Sequence, residues 1–257
     1  MGMNTDNPYV KNLNRIEFVI TYACTGKCKH CSEGDHSECG THIDGAHAAQ
    51  TVTEIAGAYP ITSLMTFGGE PLLYPEEVCR IHAAGRDAGI KKRQLITNGY
   101  FSKDTDRIKE VARMLAESGV NDILLSVDAF HQETIPTEPV KEFVCEVLAA
   151  GVPIRLSPAW LVSAEHDNPY NQKTRVLLAE FATLGLLVSG GNVIFPSGNA
   201  RKYFGDYFEQ YGEPENPYVD DPTDVCCISF DPDGTTSLGG NLYRESVLEV
   251  LKRYNAS

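Results

Sequence analysis

The sequence predicts an α/β fold in which parallel strands are covered by helices, with a small extension at the C-terminal end. Three observations carry this. Short apolar runs alternate with amphipathic windows at a pitch of roughly 30 residues, the length of one strand–helix unit, and the alternation repeats six times. The run Ile123–Val127 is almost wholly apolar, as a strand buried on both faces of a parallel sheet must be. Helix start and stop signals fall between the runs: Asp44 as a cap, Pro75 ahead of Glu76 and Glu77, and Gly89, Gly119 and Gly151 as terminators. The same alternation fits a parallel barrel, whole or partial, and a doubly wound open sheet.

Taken in order, the first strand is Ile16–Ile20, followed by a long polar loop from Ser32 to His47. A helix capped by Asp44 then presents Val52, Ile55, Ala56 and Tyr59 on one face. Ser63–Phe67 is the second strand, and its helix opens at Pro75. Gln94–Thr97 is the third, with Ile108, Val111, Ala112 and Leu115 marking its helix. The fourth strand, Ile123–Val127, precedes a helix carrying Val140, Phe143, Val144, Val147 and Leu148. Ile154–Ser157 is the fifth strand, Leu177, Phe181 and Leu184 mark the fifth helix, and Val193–Phe195 is the sixth strand. The pattern breaks at Gly198. An aromatic, acidic, proline-rich stretch runs from Tyr203 to Pro222, then Ile228–Phe230 and Thr235–Ser237 flank the turn Asp231-Pro232-Asp233-Gly234, a hairpin signal. A helix over Ser246–Tyr254 closes the chain.

A hydrophobic content of 42% over 257 residues supports one large domain, and no apolar run approaches the ~20 residues of a membrane helix. No charged-then-apolar leader opens the chain, and Met1-Gly2-Met3 reads as an expression scar. Cytoplasmic residence is the expectation, with the eight cysteines reduced and used for a metal rather than for disulfides. Lys plus Arg number 22 against 35 acidic residues, so the net charge of −13 disfavours nucleic acid while leaving a basic peptide partner open. Neither nucleic acid nor membrane is expected as a partner.

The densest chemistry lies in Cys24-Thr25-Gly26-Lys27-Cys28-Lys29-His30-Cys31, directly after the first strand. Three thiolates in a loop at a strand end can converge on one spot. Structural zinc prefers four protein ligands, usually in two separated pairs. A four-iron cluster held by three cysteines keeps one iron open. The Cys-x3-Cys-x2-Cys spacing resembles the signature of the radical S-adenosylmethionine (radical SAM) superfamily. The resemblance extends to Gly68-Gly69-Glu70-Pro71 at the end of the second strand, similar to that family's GGEP segment, and to Thr97-Asn98-Gly99 at the end of the third.

What the resemblance implies is specific. The fold becomes a six-unit partial (β/α)6 barrel over residues 1–200, with 201–257 as a C-terminal appendage. Cys24, Cys28 and Cys31 hold one [4Fe–4S] cluster, and S-adenosylmethionine (SAM) chelates its open iron. Reductive cleavage of SAM gives a 5′-deoxyadenosyl radical that abstracts hydrogen from the substrate, with flavodoxin or ferredoxin as the kind of electron donor required. His30 would pack near the adenine, the Gly68–Glu70 turn would hold the SAM ammonium, and Thr97 and Asn98 would line the same site. Ser126 and Asp128, two apart on the fourth strand, would bind ribose hydroxyls and carboxylate. Arg155 would meet the SAM carboxylate or else a structural glutamate, because an unpaired buried charge is costly. His131 is a candidate general base and Arg155 a second catalytic candidate.

Pro196-Ser197-Gly198-Asn199-Ala200 is similar to the turn after the last barrel strand in peptide-modifying members, and Cys226-Cys227 resembles the opening of their twitch or SPASM appendage. No cysteine follows Cys227, so a second cluster would have to recruit Cys39, Cys79 or Cys145. A degenerate appendage without an auxiliary cluster is the expectation. His36, Cys39, His42 and His47 populate the Ser32–His47 loop, which reads as a lid rather than a second metal site. A ribosomally made peptide is the favoured substrate. Oxidation or rearrangement of a small metabolite, glycyl-radical-enzyme activation and a zinc- or cluster-binding scaffold remain the alternatives.

Overall fold

The structure, a computed structural model, describes residues 7–34 and 40–256; His36 and Cys39 lie outside them. Nine strands and seven α-helices are described. The strands are β1 (Arg15–Val19), β2 (Ser63–Phe67), β3 (Lys92–Thr97), β4 (Asp122–Leu125), β5 (Ile154–Leu156), β6 (Ala159–Trp160), β7 (Leu187–Val188), β8 (Asn192–Val193) and β9 (Cys227–Phe230). The helices are α1 (Gly45–Ala58), α2 (Pro75–Asp87), α3 (Thr105–Ser118), α4 (Thr137–Ala149), α5 (Pro169–Ala182), α6 (Gly198–Tyr211) and α7 (Val247–Arg253). Seven strands form one parallel sheet in the order β7-β5-β4-β3-β2-β1-β9, and its two edges do not meet. This is the partial barrel that six βα units imply. After a break at Ser157-Pro158, β5 continues as β6, which pairs with β8 in a separate two-stranded sheet.

Local signals explain the helices. The Asp44 carboxylate accepts from the amides of Ala46 and His47 at the start of α1, and Asp104 caps α3 in the same way. Gly119 ends α3 in the left-handed conformation. The strands' outward residues, among them Ile16, Phe18, Leu64, Leu95, Ile123, Leu125 and Leu156, are fully buried in one cluster with Ile55, Val78, Ile108, Leu115, Val140 and Phe143 of the helices. Each such side chain contributes about 1.5–3 kcal/mol of burial.

The opposite, inner face differs in kind. Register aligns Ser229, Glu17, Met65, Gln94 and Asp122 in one row across five strands. Glu17 pairs with Arg15 and accepts from the Ser229 hydroxyl, while Gln94 donates to Asp122 at 2.7 Å. Ser229, Glu17 and Asp122 of this row are part-exposed, while Met65 and Gln94 are buried. A mostly polar inner row marks a lumen rather than a second apolar core.

Three departures from the sequence reading follow from this layout. The stretch after Gly198 contains a helix, α6, which buries Ala200, Phe204 and Phe208 at four-residue spacing. The strand before the Asp231–Gly234 turn is parallel to β1 and extends the barrel sheet, and its hairpin partner is reduced to a single bridge, Phe230 to Thr236. The sixth strand proves to be two short pieces, β7 and β8. No helix among the described residues is long and apolar enough to cross a membrane.

Candidate active site

The three cysteines sit on the loop leaving β1, and four other strand ends converge on that loop. From β2, the amides of Gly69 and Glu70 donate to the carbonyls of Thr21 and Ala23, both at 2.8 Å. A Cβ on Gly69 would collide with the Ala23 carbonyl, so the glycine permits the contact between the two loops. From β3, the Thr25 hydroxyl donates to the Tyr100 carbonyl at 2.6 Å. After β4, Thr134 accepts from the Lys27 amide at 3.0 Å and Glu133 pairs with Lys29 at 2.6 Å. After β8, the Asn199 side chain donates to the carbonyls of Cys28 and Gly34, each at 3.2 Å, and its amide donates to the Cys31 carbonyl at 2.9 Å. Gly198 fits only because it lacks a Cβ, which would strike the Ser32 carbonyl.

Glu70 is the organising group behind the loop. It is fully buried; Oε1 accepts from the Thr97 hydroxyl at 2.7 Å and the Leu72 amide at 2.9 Å, and Oε2 accepts from the Asn98 amide at 2.9 Å. Burial pushes its carboxyl up to about 7 against these three donors. Thr97 is committed on both sides, since its hydroxyl donates to Glu70 and also accepts from the Gly99 amide. Asn98 reaches forward, with Nδ2 3.6 Å from the Cys24 sulfur.

The thiols belong to one electrostatic unit. Burial pushes Cys24 up to about 11 and raises Cys28 and Cys31 as well, and the thiolates of Cys24 and Cys31 add repulsion at Cys28. A cationic centre reverses both effects, which suits this donor set to a metal cluster. A second feature suited to a bound ligand lies beside it. His30 lies against the rings of Phe130 and His131, its Nδ1 is buried without a partner among the described residues, and burial lowers it to about 4. An orphaned buried nitrogen costs about 1–3 kcal/mol unless something completes it. The Ser126 hydroxyl, one residue past β4, makes no hydrogen bond to a described residue, so it too is free for a ligand.

Asp128 occupies the neighbouring position but has no acceptor left for a ribose. Oδ1 takes the amides of Phe130 and His131 at 3.0 and 2.9 Å; Oδ2 takes His131 Nδ1 at 2.8 Å and the Ala159 amide at 3.0 Å. Burial alone would raise this carboxyl, yet the charge and hydrogen bonds of His131 hold it well below the usual carboxylate range. The ligand atoms of His30, Asp128 and His131 lie within 4.8 Å of one another. With the carboxylate saturated, the trio reads as an oriented imidazole whose Nε2 is left open, not as a cation site.

Arg155 lies apart. Its guanidinium forks onto Asp122 at 2.9 and 3.0 Å on the inner face, so its partner is an aspartate of the next strand and no ligand is needed to balance it. Cys79 and Cys145 sit on α2 and α4. The amides of Cys226 and Cys227 both donate to Asp220, and Cys227 faces Arg15 across the β1–β9 ladder, where burial and Glu17 push its thiol up to about 12. His42 stacks on Tyr74 and His47 pairs with Asp44, so neither shares a metal-ligand set with the other among the described residues. The loop's clamps Thr25, Thr134 and Asn199 escaped the sequence reading, although the Pro196–Ala200 motif marked the place of the last. Replacing Asn199 with alanine removes the donors to two loop carbonyls, those of Cys28 and Gly34, and keeps the backbone bond to Cys31. It should lower stability by about 1–2 kcal/mol and speed iron loss to a chelator several-fold, read by bleaching of the reconstituted protein's visible absorbance.

Three comparisons bear on this arrangement. The family model described as the radical SAM superfamily matches residues 18–150. A GTP 3′,8-cyclase from Moorella thermoacetica is 23% identical over 127 residues, covering 49% of this chain and 38% of that protein. Among solved structures, SuiB of Streptococcus suis bound to S-adenosylmethionine aligns over 95% of this chain and 66% of its own length, with a TM-score of 0.63 and 13% identity. The structure of anSMEcpe with bound AdoMet aligns over 95% of this chain and 78% of its own, with a TM-score of 0.59 and 15% identity. The chain thus spans well under half the length of that cyclase and about two thirds of SuiB, and the likeness to both structures is one of fold.

Proposed function

This chain belongs to the radical SAM superfamily, and from that membership we propose that it uses radical chemistry to modify a ribosomally made peptide. It is a radical SAM enzyme whose cofactors are S-adenosylmethionine and a [4Fe–4S] cluster. When bound, they supply a 5′-deoxyadenosyl radical that removes a hydrogen atom from the substrate. The part of the protein is to bind, orient and exclude water.

Cys24, Cys28 and Cys31 would hold the cluster, with Glu70, Thr25, Thr134 and Asn199 fixing their loop. Asn98, Ser126 and the Nδ1 of His30 would face SAM. His131 holds or moves a proton at Nε2, and Asp128 acts as its positioning residue, fixing the tautomer through Nδ1. The proposed division is a barrel over 1–200 and a twitch-like extension over 201–257, whose strand β9 returns to the β1 edge. The reading places the enzyme in the cytoplasm with a flavodoxin- or ferredoxin-like electron donor, and assigns no auxiliary cluster to Cys226 and Cys227.

The observation that carries the peptide reading is the unclosed barrel, whose polar inner row is open between the β7 and β9 edges and can admit a chain segment. The solved complex of SuiB with its precursor peptide SuiA supports it. The cyclase similarity favours a nucleotide metabolite instead, but a net charge of −13 opposes a triphosphate. The test is anaerobic reduction of the reconstituted enzyme with SAM and candidate peptides or GTP, followed by mass spectrometry. Peptide-dependent 5′-deoxyadenosine with a mass change in the peptide is expected, and His131→Gln should lose more peptide product than deoxyadenosine. Stimulation by GTP but by no peptide would overturn the reading.

A further inference from the structure

We propose that the groove between α6 and β8 docks an extended, positively charged peptide segment, paired along the β8 edge. This rests on the peptide reading and gives it a place and a charge. Four observations meet here. First, β8 is an open edge. In its parallel pairing with β6, the amides of Asn192 and Ile194 donate to Pro158 and Trp160, both at 2.9 Å. Alternation then turns the Val193 peptide group to the other side, where no strand lies among the described residues. Such an edge recruits extended chains by main-chain hydrogen bonds.

Second, a cavity of about 390 Å³ adjoins that edge, lined by Val162, Val193, Phe208, Tyr211, Gly212 and Pro214, with Glu213 beside them. This is the size of a site for a few apolar side chains. Third, Val162 has φ +73°, a left-handed conformation that a β-branched residue adopts only under strain. It is the one non-glycine residue with positive φ among those described, and it borders the groove. Fourth, the surroundings are charged with one sign. Between Lys202 and Arg244 the sequence contains nine acidic residues and no lysine, arginine or histidine. Asp206, Glu209, Glu215, Asp220 and Asp221 are exposed, as are Tyr211 at 46% and Tyr218 at 65%. At the start of α6, Arg201 pairs with Glu213 at 3.3 Å.

Together these features select the occupant. An apolar groove beside an unpaired strand takes an extended peptide. An acidic rim with exposed tyrosines selects lysine or arginine in it, through Coulomb attraction and cation–π contact. The route onward is visible too: Phe195, just past β8, meets the ring of Tyr218, and Tyr218 lies in the field of Glu17 and Arg15 on the lumen's inner face. A segment seated on β8 therefore feeds toward the polar row.

The probes are two fluorescent peptides, one alternating valine with lysine and one alternating valine with glutamate, titrated into the reconstituted enzyme. The lysine probe should bind at low salt, weaken about tenfold or more at high salt, and slow amide hydrogen exchange around Val193, while the glutamate probe should not bind. Tyr211→Ala combined with Glu213→Lys should weaken binding about tenfold, whereas the distant Glu110→Lys should not. Equal binding to both variants, or binding without protection at Val193, would overturn the proposal. Failure here and failure of the peptide reading are separable. If a modified peptide is found and its turnover ignores the groove variants, the groove fails alone. If no peptide is modified but the lysine probe still protects Val193, the substrate reading fails and the docking site stands.

Discussion

A Cys28→Ala chain is expected to leave anaerobic reconstitution with almost no bound iron, against about four irons per wild-type chain, and to form no 5′-deoxyadenosine. Cys28 is the decisive member of the triplet. It is the most buried of the three, at 8% exposure, and its thiol feels the charge of both others. Two thiolates cannot fix a cubane that needs three corners held. The metal-free variant should still fold: losing one sulfur costs about 1 kcal/mol of burial, so its denaturation midpoint should stay close to the parent's. Four irons retained by the variant, measured by colorimetric assay, would sink the assignment of the triplet to the cluster.

Glu70→Ala is expected to cause the largest loss of stability, about 3–5 kcal/mol in the metal-free protein. The carboxylate receives three buried donors, and alanine leaves the Thr97 hydroxyl and the amides of Leu72 and Asn98 with none. Thr97 and Asn98 then lose their register against Thr25 and Cys24, so cluster retention should fall as well. The pH dependence provides a second reading. The folded-state pKa, about 7, is raised above the ordinary carboxylate value of 4.5. Between those limits the folded protein therefore binds more protons than the unfolded one, and stability must fall as pH rises, by roughly 3 kcal/mol from this group. Glu70→Gln has no proton to lose there and should flatten that slope. Urea unfolding of both chains at intervals from pH 4.5 to 8 measures it; an unchanged slope in the variant would show that Glu70 is not the titrating group.

How much of this was legible beforehand depends on the range of the interaction. The caps at Asp44 and Gly119 and the apolar faces of α1 to α4 are local, and the sequence displays them directly. Helix α6 carried a legible signal in Ala200, Phe204 and Phe208, but the tyrosines and acids around it blurred the contrast between faces. Long-range pairing was illegible. Nothing near Cys227 announces that β9 lies against β1, and nothing near Arg155 names Asp122 as its partner. Residue types were read more securely than their roles. Asp128 stands out as polar in an apolar stretch, but a carboxylate three residues past a strand end can face a ligand or fold back on its own amides, and only geometry separates the two. Gly69 shows the same ambiguity: its missing Cβ admits the Ala23 carbonyl, where a ligand had seemed the natural neighbour.

The clamp on the cysteine loop also sets an order of events in biosynthesis. Cys28 leaves the ribosome long before Asn199, which holds it from 171 residues downstream, and β1 gains its second neighbour only when β9 emerges. Until then the three thiols sit on a loop held only from the ends of β2, β3 and β4, beside a half-paired strand. The loop therefore reaches its full set of contacts only in the completed polypeptide, and a cluster loaded earlier would sit on a loop not yet held at Cys28 and Gly34.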